Sequence, residues 1–257
     1  MLNFLKFVRV AFWSIIFISM LMIFAGVSAY QSHMKPTWSE MTTDDNISAE
    51  LGAREATAVK LSRNSAVKLM SMSMNFFSGI STMSGTYFEA NDKPYVLTVH
   101  HGIMGPCLLV IITHDEYRGD CKEYVVIDEV NDYVIMELAE KIPNRTPIKI
   151  PQDLPRGNEW KGSYSILNSI VYTGYPNTLG PLTLRGDVVG WNENEYLYVF
   201  SHAYGGASGS GVFSKDGKYI GYIVAIDVGS TELGPDVLEN VVIVAPALNV
   251  DWAAISN

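Results

Sequence analysis

Only two cysteines and five histidines occur in the 257 residues. Neither type is grouped at the short spacings a zinc ion requires, so a structural or catalytic zinc centre is not expected. Basic residues are also scarce, 18 against 27 acidic ones, for a net charge of −9. No stretch clusters Lys and Arg as phosphate binding demands, so nucleic acid is not an expected partner. The chain has no internal repeat and no low-complexity segment, and helical periodicity is nearly absent beyond the first 61 residues. No sequence feature calls for a metal or an organic cofactor.

What is abundant is apolar and unevenly placed. Lys6 and Arg9 precede an uncharged run from Val10 to Ser32. A helix needs about 20 apolar residues to cross a bilayer, whereas the apolar core of a cleaved signal is about 7–15. The run therefore reads as an N-terminal signal-anchor, residues 1–32. The small residues Val27-Ser28-Ala29 leave a cleaved signal ending near Ala29 as the alternative. Either way the remaining chain is expected outside the cytoplasm, with the basic flank inside. Setting Lys6 and Arg9 aside takes the body from −9 to −11. In an exported body Cys107 and Cys121 can pair across a loop of about 15 residues; the other reading is two free thiols on adjacent strands.

A polar tether follows, residues 33–62, in which Ile47–Leu61 suits a short helix. From residue 63 to 257 the texture is β-rich. Twelve short runs (AVKLMSMSM, SGTYFEA, PYVLTV, CLLVIIT, EYVVIDEV, YVIMEL, SIVYTGY, LTLRGDVVGW, EYLYVFS, SGVFS, YIGYIVAI, NVVIVA) alternate with turn residues such as Asn91-Asp92 and Asp216-Gly217. That pattern indicates an all-β barrel or sandwich. Lys141–Ser163 holds four of the eleven prolines and divides the series into halves, about 63–145 and about 160–257.

Three of these stretches carry residues suited to nucleophilic catalysis. In GGASGSGVF, glycines flank Ser208 and permit a sharp turn that can aim the Gly206 and Ser208 N–H groups at one point. Ser210, one step into the next strand, is the rival nucleophile. In LTVHHGI, His101 stands just past the strand end and is favoured over His100 as the base. In NDYVIMEL, Asp132 opens a buried run, where a carboxylate needs a hydrogen-bonding partner such as an imidazole; Asp128 is the rival. The order His, Asp, Ser opposes the Ser, Asp, His order of α/β-hydrolases.

Together the three segments resemble those of trypsin/chymotrypsin-like serine proteases, nearer the HtrA-type and glutamyl-endopeptidase branches. SGTYFEANDKPYVLTVHHGI is similar to the family's hairpin and histidine segment, DYVIMEL to its aspartate segment, and GASGSGVF to its serine loop; GYPNTLG and TLRGDVVGW resemble strands opening its second barrel. The resemblance implies two antiparallel six-stranded β-barrels of chymotrypsin type behind the N-terminal helix. It also implies an endopeptidase with His101 as general base, Asp132 as its orienter and Ser208 as nucleophile, and with the Gly206 and Ser208 amides as oxyanion hole. A peptide or protein is then the substrate. The first specificity pocket is expected at His202, Ala203, Val224, Ala225 and Ile226, with His202 suited to an acidic or polar side chain. Four departures stand out: Ala207 replaces a commoner polar residue, Val134 a small one, no cysteine stands directly after His101, and no Ile-Val-Gly-Gly segment precedes the first strand. No appended peptide-binding module is expected after Asn257. A catalytically silent module of the same fold and, further off, an esterase are the alternative functions.

Overall fold

The structure, a computed structural model, describes residues 13–20, 47, 50–74, 79–114, 117–143, 145–151, 154, 164–231 and 234–256, with backbone alone at 178, 225–231 and 234–239. Residues 1–46 form one unit, in which residues 13–20 are helical (α1); the rest of the expected anchor lies outside the described residues. Among the described residues no helix is long and apolar enough to cross a membrane. The second unit, Ile47–Asn257, holds everything that follows.

Helix α2, Ala53–Ser65, starts and ends later than its sequence pattern suggests. Gly52 occupies the N-cap in an extended conformation, and the helix runs on until Ala66 turns directly into the first strand. It lies against the second barrel: Ser62 donates to Thr173 Oγ1 at 2.8 Å and Arg63 to Thr183 Oγ1 at 2.8 Å.

Twelve strands make two closed six-stranded antiparallel barrels, as the family resemblance implies. The first comprises β1 (Ala66–Met72), β2 (Ile80–Ala90), β3 (Lys93–Val99), β4 (Val110–His114), β5 (Tyr117–Asp128) and β6 (Tyr133–Leu138). The second comprises β7 (Ser169–Gly174), β8 (Leu182–Trp191), β9 (Leu197–Phe200), β10 (Gly211–Ser214), β11 (Tyr219–Thr231) and β12 (Gly234–Pro246). Strand order is 1-2-3-6-5-4 in one and 7-8-9-12-11-10 in the other, so both halves share one topology. Closure leaves no free sheet edge, and is made by β1 with β4 (Lys68↔Thr113) and β7 with β10 (Tyr172↔Val212).

Burial explains the sequence texture. Strand β1 buries Val67 and Leu69 and half-exposes Lys68 and Met70, the alternation of a barrel wall. Strand β6 instead buries all six residues, because one face fills its own barrel and the other meets neighbouring structure. Between the barrels Phe88, Phe213, Tyr219 and Trp252 interlock, with Phe88 and Trp252 centroids 5.0 Å apart. Trp252 arrives on the C-terminal segment, which ends in α3 (Ala253–Ser256) and is held where the Asp251 N–H donates to Tyr133 Oη at 2.9 Å. Cys107, in a 3-10 turn before β4, is disulfide-bonded to Cys121 on β5, with Cα atoms 5.3 Å apart. This bridge tethers the connection that leaves His101.

Candidate active site

Turns at the ends of barrel strands bring the three segments to one cleft. His101 sits two residues beyond β3, where the Ile103 N–H donates to the His100 carbonyl and closes a turn. Asp132 sits in the β5–β6 turn with φ 54°, a left-handed conformation that Asp tolerates better than most residues. Its neighbour Asp128 builds that turn, accepting the N–H groups of Val130 and Asn131 and the Asn131 side-chain amide at 2.8–2.9 Å. From the second barrel, the buried Tyr222 hydroxyl donates to the Asn131 carbonyl at 2.6 Å and steadies the turn from outside.

Asp132 grips His101 twice. Its Oδ1 accepts the His101 backbone N–H at 2.8 Å, and its Oδ2 lies 2.6 Å from Nδ1. The His101 side chain remains 51% exposed and that of Asp132 21%, so the pair stands at a surface with the far ring nitrogen available. The hydrogen bond from Asp132, aided by its charge and opposed by burial, raises the His101 pKa above 6.5. That is the effect expected of a carboxylate that favours the charged imidazole.

The Ser208 loop, residues 205–210, shows a one-sided use of its backbone. Four successive carbonyls are occupied. Gly205 accepts the Asn177 N–H (2.6 Å), Gly206 the Ser84 hydroxyl (2.7 Å), Ala207 both the N–H and hydroxyl of Ser210 (3.0 and 2.6 Å), and Ser208 the Ser84 N–H (2.9 Å). The Ala207 and Gly209 N–H groups donate within the fold, to Tyr204 and Ile223. Among the described residues the N–H groups of Gly206 and Ser208 have no backbone partner. Gly206 (φ 96°) and Gly209 (φ 87°) hold conformations that side chains oppose, and a Cβ at Gly209 would collide with the Ser84 carbonyl.

His101, Ala203, Tyr204, Gly205, Ala207, Ser208, Ile223 and Val224 line one cleft of about 380 Å³. Among the described residues no hydrogen bond joins Ser208 to His101, although both line the cleft. Ser210 is fully buried with its hydroxyl on Ala207, which disfavours it against the partly exposed Ser208. His100 contributes its backbone, donating to the Asp132 carbonyl at 3.2 Å.

His202, expected at the first specificity pocket, is exposed and is not among the residues that line the cleft, and its carbonyl accepts the Tyr172 hydroxyl. Ala203 and Val224 do line it, and Tyr204 and Ile223 join them. The side chains of Ala225 and Ile226 lie outside the described residues. Ser84, which bonds the Gly206 and Ser208 carbonyls, is distinguished by no local pattern in the sequence. Among the described residues no group of His, Cys, Asp and Glu could hold a metal ion.

No protein-family model and no curated protein sequence matches the chain. Solved structures do. Over 80% of this chain and 68% of the other, it superposes on the serine endoprotease from Yersinia pestis with a TM-score of 0.58 and 19% identity. Two structures of the HtrA-type protease AlgW with a tripeptide give TM-scores of 0.59 and 0.57 at 17% and 16% identity. Each of those covers 78% of this chain and 63% of the AlgW chain, so the chain spans less than two thirds of that relative. The fold is the pair of closed six-stranded barrels found in those serine proteases. The two AlgW structures among these matches are described as HtrA-type proteases.

Proposed function

We propose that this chain is a serine endopeptidase. The observation that carries the reading is the convergence of Ser208 and an Asp132-oriented His101 on one cleft. Ser208 Oγ attacks the peptide carbonyl while His101 takes its proton on the ring nitrogen away from Asp132. The oxyanion that forms is met by the Gly206 and Ser208 N–H groups, which have no backbone partner among the described residues. His101 returns the proton to the departing amine, and water repeats the sequence on the acyl-Ser208 ester to release the acid. Residues 1–32 act as the signal-anchor, holding the protease body outside the cytoplasm at a membrane; Val10 to Ser32, uncharged behind Lys6 and Arg9, support this.

One experiment tests both parts. The full chain is expressed, separated into membrane and soluble fractions, and treated with a fluorophosphonate. The expected result is a single adduct, mapped by mass spectrometry to Ser208, on protein retained in the membrane fraction. Folded protein without an adduct sinks the protease reading. Adduct confined to the soluble fraction on chains starting near Tyr30 sinks the anchor alone.

The cleft walls set a preference. Ala203, Ile223 and Val224 are apolar, and His202 is not among the residues that line the cleft. An ionised side chain entering here would lose water without gaining a partner. A peptide library is expected to show small aliphatic residues before the scissile bond, favoured by at least about tenfold over Asp, Glu, Lys or Arg. Equal or better cleavage after acidic residues would refute this pocket assignment.

A further inference from the structure

Tyr222, on β11, reaches from the second barrel to the turn that carries Asp132. Its hydroxyl donates to the Asn131 carbonyl at 2.6 Å, and among the described residues no backbone N–H donates to that carbonyl. The residue is fully buried, its ring set edge-on to that of Tyr133 with centroids 6.1 Å apart. Burial pushes the hydroxyl's pKa up, so it keeps its hydrogen at any working pH.

That carbonyl belongs to the Asn131–Asp132 peptide, a rigid plane whose orientation sets the φ of Asp132. This φ is 54°, a left-handed value that a residue with a side chain keeps only where its surroundings impose it. If the peptide turned over, its carbonyl would leave Tyr222 and φ would relax to a negative value. The Asp132 Cβ would then swing away from His101. The peptides on either side are held from the first barrel. Asp128 accepts the Asn131 N–H at 2.9 Å, and the Asp132 carbonyl accepts the His100 N–H at 3.2 Å. The peptide between them is gripped from the second barrel, by Tyr222. Next along β11, Ile223 accepts the Gly209 N–H at 2.7 Å and donates its own N–H to the Ser210 carbonyl at 3.0 Å. Two adjacent residues of one strand therefore hold the Ser208 loop and the Asp132 turn.

We propose that Tyr222 is a positioning residue: its hydroxyl holds the Asn131–Asp132 peptide in the orientation that aims the Asp132 carboxylate at His101, and so sets the first barrel's Asp132–His101 pair against the second barrel's Ser208. The proposal rests on His101 and Ser208 acting as base and nucleophile. Tyr222 is not among the residues that line the cleft, so its hydroxyl acts through Asp132 and not on substrate. Its loss should therefore slow the chemical step and spare binding along the cleft walls.

The test compares Tyr222→Phe, which removes only the hydroxyl oxygen, with Tyr219→Phe, which does the same at another buried tyrosine of β11. For Tyr222→Phe, kcat is expected to fall by about 10- to 100-fold, the scale of a small misplacement and well short of the loss of about 10⁴-fold when the carboxylate itself is replaced. KM should stay within about threefold. In an Asp132→Asn background the same change should cost less than about twofold, since no carboxylate remains to be aimed. A 4-aminophenylalanine at position 222, a weaker donor of the same shape, should lie between and carries the readout if Tyr222→Phe does not fold. Tyr219→Phe should leave kcat unchanged. Unchanged kcat in both Tyr222 variants, or an equal loss in the Asp132→Asn background, overturns the proposal. A second arm needs no activity. In a Ser208→Ala background, the NMR titration midpoint of the His101 ring should fall by at least about half a pH unit on Tyr222→Phe, because a slackened Asp132 hydrogen bond favours the imidazolium less. Asp128 and the facing tyrosines Tyr133, Tyr196 and Tyr219 keep one charge state across this range, so the midpoint reports on Asp132. A midpoint that does not move refutes the positioning role even where the wild type proves inactive, a failure that would instead fall on Ser208 as nucleophile.

Discussion

Replacing Ser208 with alanine is expected to lower kcat on a cleavable peptide by about 10⁶-fold while leaving KM within a few-fold. The cleft walls that bind substrate, Ala203, Ile223 and Val224, are untouched by the change, so binding survives while the attacking oxygen is lost. His101→Ala is expected to cost nearly as much. The double variant should be hardly worse than either single one, because a nucleophile without its base and a base without its nucleophile are equally idle. The residual rate, about 10³–10⁴ above uncatalysed hydrolysis in such systems, would come from the amides of the Ser208 loop and from binding. Steady-state kinetics on the three purified variants decides the matter. A Ser208→Ala protein within tenfold of the wild type would remove Ser208 from the chemistry. Ser210 could not easily replace it, being fully buried with its hydroxyl committed to the Ala207 carbonyl. Independent, additive losses in the two single variants would mean that the residues share a cleft without sharing a mechanism.

Much of the architecture is legible in the residues because barrel walls impose a period of two and turns need particular side chains. Each of the twelve β-rich runs overlaps one of the twelve strands seen among the described residues. The differences lie where local pattern and tertiary contact part company. Cys107–Leu109 reads as the start of a strand but forms a 3-10 turn, since Cys107 must reach Cys121. The polar tip of the β11–β12 hairpin, with pairs such as Val228↔Val237, is set by backbone pairing beyond two bulges and carries no hydrophobic alternation. His101 and Asp132 could be singled out because a strand end and a carboxylate that opens a buried run leave local marks. His202 lies outside the cleft lining, and a place in the chain does not reveal which surface a loop residue serves. Ser84 had no mark at all. Its partners Tyr175 and Gly206 lie 91 and 122 residues away, and in sequence it is simply a small residue in a strand.

Asp132→Asn is the substitution that separates charge and tautomer from shape, and a loss of about 10⁴-fold in kcat is expected. Asparagine tolerates the left-handed backbone at this position, φ 54°, so the β5–β6 turn should persist. The carboxylate accepts at both oxygens, from the His101 N–H at 2.8 Å and at Nδ1 at 2.6 Å. An amide offers one acceptor and one donor. With its oxygen kept on the backbone N–H, its NH₂ faces Nδ1 and favours the tautomer with the hydrogen on Nε2, the nitrogen that must receive the Ser208 proton. The pH dependence carries the same signature. In the wild type kcat/KM should rise as His101 loses its proton through a pKa held above 6.5, chiefly by the Asp132 hydrogen bond. Removing the carboxylate removes what raises that value and leaves burial, which lowers it, so the inflection should move down in pH. Stability follows the opposite slope. A group whose pKa is raised on folding stabilises fully below its unfolded value near 6.5, and that contribution fades as pH climbs through the folded value. Urea midpoints of the wild type should therefore decline across this window, and those of Asp132→Asn should decline less. An inflection that stays in place, with activity within tenfold, would show that Asp132 does not orient the base.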